Sequence, residues 1–442
     1  MSTTSADEMT FDKACEYIRD AGRLGSRPGL TRIQKLCGLL GDPQDDLRFI
    51  HVAGTNGKGS TACMIAYALA EAGLRAGMYY SPAMTGINDH YMINGRPIEE
   101  DDYAKSVSVV AAANEQMIKE TGESATQFEL ETAVAFVYFR DNNCDTVILE
   151  CGMGGRDDAT NTVGNKLCCV ITSVSFDHMQ YLGNTLYDIA DVKAGIITSD
   201  CPVIAYDAGN EVIEAVAKRC DVTGSRLYTV KKDSVRSDAG PFPNGEVVDY
   251  EEFKGVRISL NGTYQAENAA VALRTLSVLS KSIPRITEDA IRGGLGKVRW
   301  PFRFECINTD PLIIVDGAHN VDAALKLRDT VSECLFGYTL ILVIGMFADK
   351  EYEKVVGILA EKAHTILTVA PPENERALPA EDLAACARGY CEDVRVCVSV
   401  EEAYDIAGQT AYEYKKSGQL PAVIACGSLS YLSRFSRSVR TG

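Results

Sequence analysis

Glycine, lysine and serine are spaced for phosphate chemistry in the run His51-Val52-Ala53-Gly54-Thr55-Asn56-Gly57-Lys58-Gly59-Ser60. An apolar stretch from Leu47 to Val52 precedes it and reads as a buried strand. An Ala-rich stretch from Thr61 to Ala72 follows it and reads as a helix. Between strand and helix, glycines let backbone N–H groups approach an anion closely, and the helix N-terminus adds the positive end of its dipole. Lys58 would reach the outer phosphates, and the Ser60 hydroxyl would sit on Mg2+. Gly59 separates the lysine from the serine, a departure from strict Walker A spacing. The plainer alternative is a Gly-rich turn that only joins strand to helix.

Three further clusters stand just past predicted strands. Glu150 ends the strand Thr146-Leu149 and opens the Gly-rich segment up to Asn161. A carboxylate at the carboxyl end of an α/β strand suits Mg2+, a hard cation that takes one or two protein oxygens plus phosphate and water. The alternative is a strand-ending Glu, with Asp158 and Asn161 capping a helix. Ser175-Phe176-Asp177-His178 follows the strand Cys168-Val174 and places His178 on the same sheet edge as Glu150, as a metal ligand or a phosphate contact. Lys193 stands after a predicted helix, Leu186 to Val192, and before apolar Ile196-Ile197. A lysine entering a core is unusual unless it is paired or modified; otherwise it snorkels to the surface. Asp316-Gly317-Ala318-His319-Asn320 follows the strand Leu312-Val315, a polar set suited to ribose hydroxyls, a base edge or a phosphate, or else a helix cap at Asn320.

These clusters need a scaffold of alternating strands and helices. The clearest helices are Asp102-Glu120 and Phe128-Arg140, and with the strands Phe49-Val52 and Val203-Ala205 they predict a mostly parallel sheet covered on both faces. Residues 221 to 260 are short, polar and β-like, and read as an antiparallel excursion on the first domain. The Gly-rich stretch from Gly293 to Trp300-Pro301 marks the main boundary. A second alternation follows, with strands Leu340-Ile344, Thr365-Val369 and Ala422-Ala425 and helices Val321-Leu335 and Tyr352-Glu361. The expected domains are therefore 1–297, with the phosphate loop, and 298–442, a smaller α/β unit.

Composition narrows the partners. The 442 residues carry a net charge of −17, which repels nucleic-acid backbone and anionic lipid, and no Lys/Arg cluster offsets it. No apolar run reaches the ~18–20 residues of a membrane span, and the polar, acidic Met1–Met9 does not read as a signal peptide. Fifteen scattered cysteines without a C-x-x-C pair fit free thiols in a reducing compartment. A cytoplasmic protein is expected, with no nucleic-acid or membrane partner.

The order of motifs resembles the folylpolyglutamate synthase and dihydrofolate synthase group within the Mur-type ATP-dependent ligases. The resemblance runs from Pro28-Gly29-Leu30 through the phosphate loop, Phe128-Glu129, Gly152 to Asn161, Asp177-His178, Lys193-Ala194-Gly195-Ile196, Asn268-Ala269-Ala270 and Arg303, to Asp316–Asn320. It implies a phosphate-loop ATPase domain followed by a smaller Rossmann-like domain, with ATP and Mg2+ as cofactors. It also implies a monomer acting on small molecules: ATP, L-glutamate and dihydropteroate or a reduced folate. ATP would phosphorylate the acceptor carboxylate, and the glutamate amine would displace phosphate from the acyl phosphate.

Residue by residue, the resemblance places nucleotide on Gly54, Thr55, Asn56, Gly57, Lys58, Gly59 and Ser60, and on Asn268, Arg303, Asp316 and His319. It places Mg2+ on Ser60, Glu150, His178 and Lys193. Lys193 matches a lysine that is carbamylated in relatives, and Lys58, His178 and Lys193 form the expected catalytic set. Ser81, Phe128, Glu129, Asp158 and Ala159 fall at the acceptor.

Departures cluster near the acceptor and the hinge. Ala83 replaces the family's His, Asp89-His90 replaces Glu-Arg, Asp157 replaces Leu, and Phe302 replaces Gly in Trp300-Pro301-Phe302-Arg303. They leave open a Mur-type ligase of the same mechanism on another carboxylate acceptor. A nucleotide-binding protein without ligase turnover is the third reading.

Overall fold

The computed structural model describes residues 9–25, 27–239, 242–372 and 374–441. The chain forms two compact units, one reaching to Ser234 and including Asn268–Lys297, the other comprising Val235–Glu267 and the chain from Val298 onward.

The first unit is built on an eight-stranded sheet. Its strands are β1 (Phe49–Ala53), β2 (Ala76–Tyr79), β3 (Tyr91–Ile93), β4 (Arg96–Pro97), β5 (Thr146–Glu150), β6 (Lys166–Ile171), β7 (Val203–Tyr206) and β8 (Leu227–Val230), in the order β4-β3-β2-β5-β1-β6-β7-β8. From β2 to β8 the neighbours run parallel, and β3 and β4 add an antiparallel edge. Every residue of β1, β2, β5 and β7 is buried, as strands covered on both faces require. One face packs on the helices Glu100–Thr121 and Gln127–Asp141 through Val107, Val110, Leu130 and Phe136. Another core gathers Ile189, Ile196, Val212 and Val216 against Cys169, Ile171 and Val203. The second of the two helices starts at a capping box: Thr126 Oγ1 accepts from Glu129 N, and the Glu129 carboxylate accepts from Thr126 N.

β1 lies between β5 and β6, so the chain leaves the centre of the sheet in both directions. Open α/β sheets place ligands at the carboxyl ends of strands where the order reverses in this way. The phosphate loop follows β1, Glu150 closes β5, and the Ser175–His178 segment comes after β6.

The second unit has a three-stranded antiparallel sheet, β9 (Val235–Ala239), β10 (Glu246–Tyr250) and β11 (Phe253–Ile258). Its six-stranded sheet comprises β12 (Glu305–Thr309), β13 (Leu312–Val315), β14 (Thr339–Ile344), β15 (Thr365–Thr368), β16 (Val394–Val396) and β17 (Pro421–Cys426), ordered β12-β13-β17-β14-β15-β16. Only β12 is antiparallel to its neighbour.

Of the antiparallel excursion expected over residues 221–260, Leu227–Val230 instead runs parallel to β7 in the main sheet, whereas the part from Val235 on exists and groups with the second unit rather than with residues 1–297. The reason lies in contacts distant in sequence. Phe242 packs edge-on against Phe304, Thr263 bonds Thr330, and Lys326 pairs with Glu267. Among the described residues no helix is long and apolar enough to cross a membrane.

Candidate active site

The helix after the phosphate loop begins at Lys58, three residues earlier than its Ala-rich pattern. Gly57 adopts the left-handed conformation (φ 81°) and supplies the turn before it. A side chain at Gly57 would collide with the Asn268 amide, and one at Gly54 (φ 155°) with the Thr172 hydroxyl. Both glycines are therefore demanded by space as well as by backbone angle. Asn268, an expected nucleotide contact, thus lies against the loop.

The loop is braced by the segment after β6. Thr55 N donates to Ser173 O (2.7 Å), and Thr55 Oγ1 is bonded to both the N–H and the carbonyl of Ser175 (3.1 Å each). Thr172 and Ser173 hydroxyls donate to Asn56 O at 2.8 and 3.2 Å. The bracing role of Thr172 is not visible in sequence.

Two ammonium groups and one carboxylate gather beside this loop. Lys58 Nζ donates to Thr55 O at 3.0 Å and lies 4.0 Å from Glu150 Oε1. Glu150 is 6% exposed, at the end of β5 and paired in register with Val52. Lys193 sits inside the helix Leu186–Ala194, not past its end, and is 4% exposed. Its Nζ donates to Gly54 O at 2.8 Å. Burial first, and the Lys58 charge second, lower its pKa to about 7. Ser60 is buried in the first turn of the loop helix. His178 is half-buried in the left-handed region (φ 51°), with Nε2 3.9 Å from Asp177 Oδ1.

Among the described residues no three His, Cys, Asp or Glu side chains converge as a protein-only metal centre requires. Mg2+ needs less, since it retains water and takes phosphate oxygens. The oxygens of Ser60 and Glu150 fit it, and the adjacent ammonium groups would meet the same phosphates.

At the positions expected to meet the acceptor, Phe128 packs over Gly152, where an added side chain would strike the ring, and lies 6.3 Å from Tyr79. Ser81 is half-buried just past β2, and Ala159 is buried. Glu129 serves its own helix cap and Arg32 (3.2 Å to Oε2), while Oε1 is buried without a partner. The Asp158 carboxylate accepts from Met153 N, Thr160 N and the Thr160 hydroxyl; burial raises its pKa and these bonds oppose the rise.

The departures have local explanations. Asp89 accepts N–H bonds from Met84 and Thr85 and the Thr85 hydroxyl, closing the loop that carries Ala83. His90 Nδ1 lies 2.7 Å from Tyr80 O and its ring stacks on Tyr79. Phe302 occupies the left-handed region (φ 58°), where the family's glycine would sit at ease. The strain is of order 1–2 kcal/mol, set against near-complete burial of the ring.

In the second unit, Asp316 comes just after β13 and is buried. Its carboxylate accepts from the Tyr264 hydroxyl (2.7 Å), Phe304 N (2.8 Å) and Ala318 N (2.8 Å). Burial raises its pKa, with the Tyr264 bond and Arg303 opposing. Arg303 Nη1 donates to Phe302 O, and His319 Nδ1 lies 2.8 Å from Gly317 O. Asn320 caps the helix Val321–Cys334 through Ala323 N. Tyr264 belongs to the run Tyr264-Gln265 that shares in the family resemblance, but its bond to Asp316, across many residues of sequence, is not visible there.

Residues 52–276 match the Mur ligase middle domain, and residues 302–428 match the glutamate ligase domain of Mur ligases. Folylpolyglutamate synthase from Lacticaseibacillus casei is 34% identical over 391 residues, 87% of this chain and 91% of the relative. The chain belongs to the folylpolyglutamate synthase and dihydrofolate synthase family. The fold agrees: Mycobacterium tuberculosis folylpolyglutamate synthase complexed with ADP superposes with a TM-score of 0.87 at 27% identity, covering 98% of each chain. E. coli FolC in complex with DHPP and ADP gives 0.83 at 26% identity, covering 99% of each. As a member of this family the chain is an ADP-forming, ATP-dependent ligase.

Proposed function

We propose that the chain joins the amine of L-glutamate to the carboxylate of dihydropteroate or a reduced folate. The observation that carries this reading is the braced phosphate loop with Lys58, Glu150 and Lys193 beside it, in a chain that also matches a glutamate ligase domain. An acceptor carboxylate oxygen attacks the γ-phosphorus of ATP, the bond to the bridging oxygen breaks, and ADP leaves. The glutamate amine then attacks the acyl carbon, an amide forms, phosphate departs and the amine loses a proton. A bare carboxylate is a poor acyl donor, so the first step makes the second possible.

Lys58 and the loop N–H groups hold the phosphates and offset their charge, and the N-terminus of the helix from Lys58 adds its dipole. Ser60, Glu150, His178 and a modified Lys193 would hold Mg2+, which supplies charge neutralisation on the transferring phosphoryl group. In the first unit Gly54–Ser60 and Asn268 would serve ATP; in the second, Arg303, Asp316 and His319 are the residues that the family resemblance assigns to nucleotide. Ser81, Phe128, Glu129, Asp158 and Ala159 serve the acceptor. Lys193 reacts as the neutral amine with CO2, forming an N–C bond and releasing a proton to leave a carbamate. The ATPase part of this reading is the first unit, and the glutamate ligase part is the second unit, which includes Val235–Glu267. A monomer is part of this reading, as is a cytoplasmic location, with which fifteen free thiols agree.

Purified protein given MgATP, L-glutamate and dihydropteroate or a reduced folate should release ADP and phosphate only when all are present, with a new amide seen by mass spectrometry. Ligation of another carboxylate, with every pteridine acceptor inert, would transfer the assignment to the alternative Mur-type ligase. Glu150→Gln keeps size and removes charge. It should raise the Mg2+ concentration needed for half-maximal rate about tenfold or more, while melting shifts little. Loss of melting temperature with unchanged Mg2+ dependence would return Glu150 to a strand-end role.

A further inference from the structure

Two buried polar residues of the first unit, His51 and Thr160, have no part in the reaction steps. His51 lies on β1, three residues before Gly54, and is fully buried. Its Nε2 is 2.9 Å from Thr160 Oγ1 and 3.1 Å from Cys151 Sγ. Thr160 is also fully buried, and its Oγ1 is 2.5 Å from Asp158 Oδ1, against 3.4 Å from Cys151 Sγ.

The proton directions follow from what each group can give. Asp158 takes N–H bonds from Met153 (2.9 Å) and Thr160 (3.1 Å), as a carboxylate does. The single Thr160 proton goes to this carboxylate, the closer and charged acceptor. Thr160 oxygen then accepts from His51, so the imidazole carries its proton on Nε2. Nδ1 is left as a bare lone pair, and it is buried without a partner. A second proton there would have nothing to bond, and burial holds the ring neutral. An apolar residue could fill the same space, but it would leave the Thr160 oxygen without this donor.

The chain joins two functional elements. β1 ends in the phosphate loop. The segment Gly152–Asn161 follows β5 and is folded on itself by Asp158, which also caps the short turn Ala159–Thr162. We propose that His51 and Thr160 are positioning residues for the carboxylate acceptor: the His51–Thr160–Asp158 chain fixes the Gly152–Asn161 segment against the strand that delivers the phosphate loop. The inference rests on the reading that Asp158 and Ala159 contact the acceptor. It assigns the tether to acceptor placement, not to nucleotide binding, because Thr172, Ser173 and Ser175 brace the phosphate loop independently.

The test uses the full chain and steady-state kinetics with dihydropteroate, ATP and L-glutamate. Thr160→Val and His51→Leu should each raise the acceptor KM about tenfold or more while the ATP KM stays within about twofold, since each breaks the support of a buried charged group. Thr160→Ser keeps the hydroxyl and His51→Gln keeps an N–H near the ring Nε2 position, so both should recover most of the loss. Equal changes in both KM values, or no recovery by Thr160→Ser, overturn the proposal. So does a fall in melting temperature without a KM split. If Thr160→Val fails to fold, His51→Leu against His51→Gln makes the same comparison. Asp158→Ala separates the two levels. No rise in its acceptor KM removes the underlying acceptor reading; a rise there with Thr160→Val silent removes the tether alone.

Discussion

Lys58→Ala should lower kcat/KM for ligation by about a thousandfold or more, with cooperative melting retained. The side chain is 17% exposed and makes one hydrogen bond, to Thr55 O, so little of the fold depends on it. Its charge matters far more. The protein carries −17, and the loop side chains from Gly54 to Ser60 hold no other cation to meet the phosphates. The second ammonium nearby, on Lys193, is pushed toward neutrality by burial and by Lys58 itself. Removing Lys58 therefore removes the fixed positive charge and also lifts one cause of the depressed Lys193 pKa. Single-turnover measurement of acyl phosphate formation, beside a thermal melt, checks this. Turnover near that of the unmodified protein would refute the phosphate-loop assignment.

Local rules explain what sequence made readable. Gly54 and Gly57 announce the loop because their backbone angles and the close Thr172 and Asn268 side chains exclude larger residues. Glu150 is readable because a polar residue ends an otherwise buried strand. The helices Glu100–Thr121 and Gln127–Asp141 agree with the sequence ranges to within two residues, since a capping box and a closing glycine at Gly122 fix their ends. β2 escapes notice because Ala76-Gly77-Met78-Tyr79 is short and carries no β-branched residue, while β8 falls in the stretch read as antiparallel and instead runs parallel to β7, a direction that no four-residue run marks.

The unreadable part is non-local. Nothing near Asp316 in sequence says that Tyr264, fifty-two residues away, will bond its carboxylate. Nothing near His51 points to Thr160, 109 residues on. The grouping of Val235–Glu267 with the second unit depends likewise on Phe304, Thr330 and Lys326. Such partners are set by strand order, and strand order in a parallel sheet is not written in any single segment. Lys193 lies between these cases. Its apolar surroundings are legible, but its place inside the helix is not, because the helix runs on to Ala194 before Gly195 closes it.

Lys193→Ala should lose activity by about a hundredfold or more, and a short carboxylic acid in the buffer should restore part of it. The argument starts from burial. Lys193 is 4% exposed and its Nζ has Gly54 O at 2.8 Å, so an ammonium there gives up most of its hydration. With its pKa lowered to about 7, much of the amine is neutral at ordinary pH, and the neutral amine is the form that adds CO2. The product puts an anion beside Lys58 in place of the amine, an arrangement favoured by charge and able to meet a metal. An added carboxylic acid can occupy the space left in the alanine variant and supply the same oxygens. The unmodified amine also makes a stability prediction. In CO2-free buffer, between pH 7 and 10.5, the unfolded chain keeps the Lys193 proton and the folded chain does not. Stability relative to Lys193→Met should therefore rise with pH across that window, by up to about 1.4 kcal/mol per pH unit, and flatten below it. Bicarbonate should raise activity, and labelled bicarbonate should give a carbamate carbon signal that Lys193→Ala lacks. A fully active Lys193→Ala variant, with no carbamate signal in the unmodified protein, would sink the assignment.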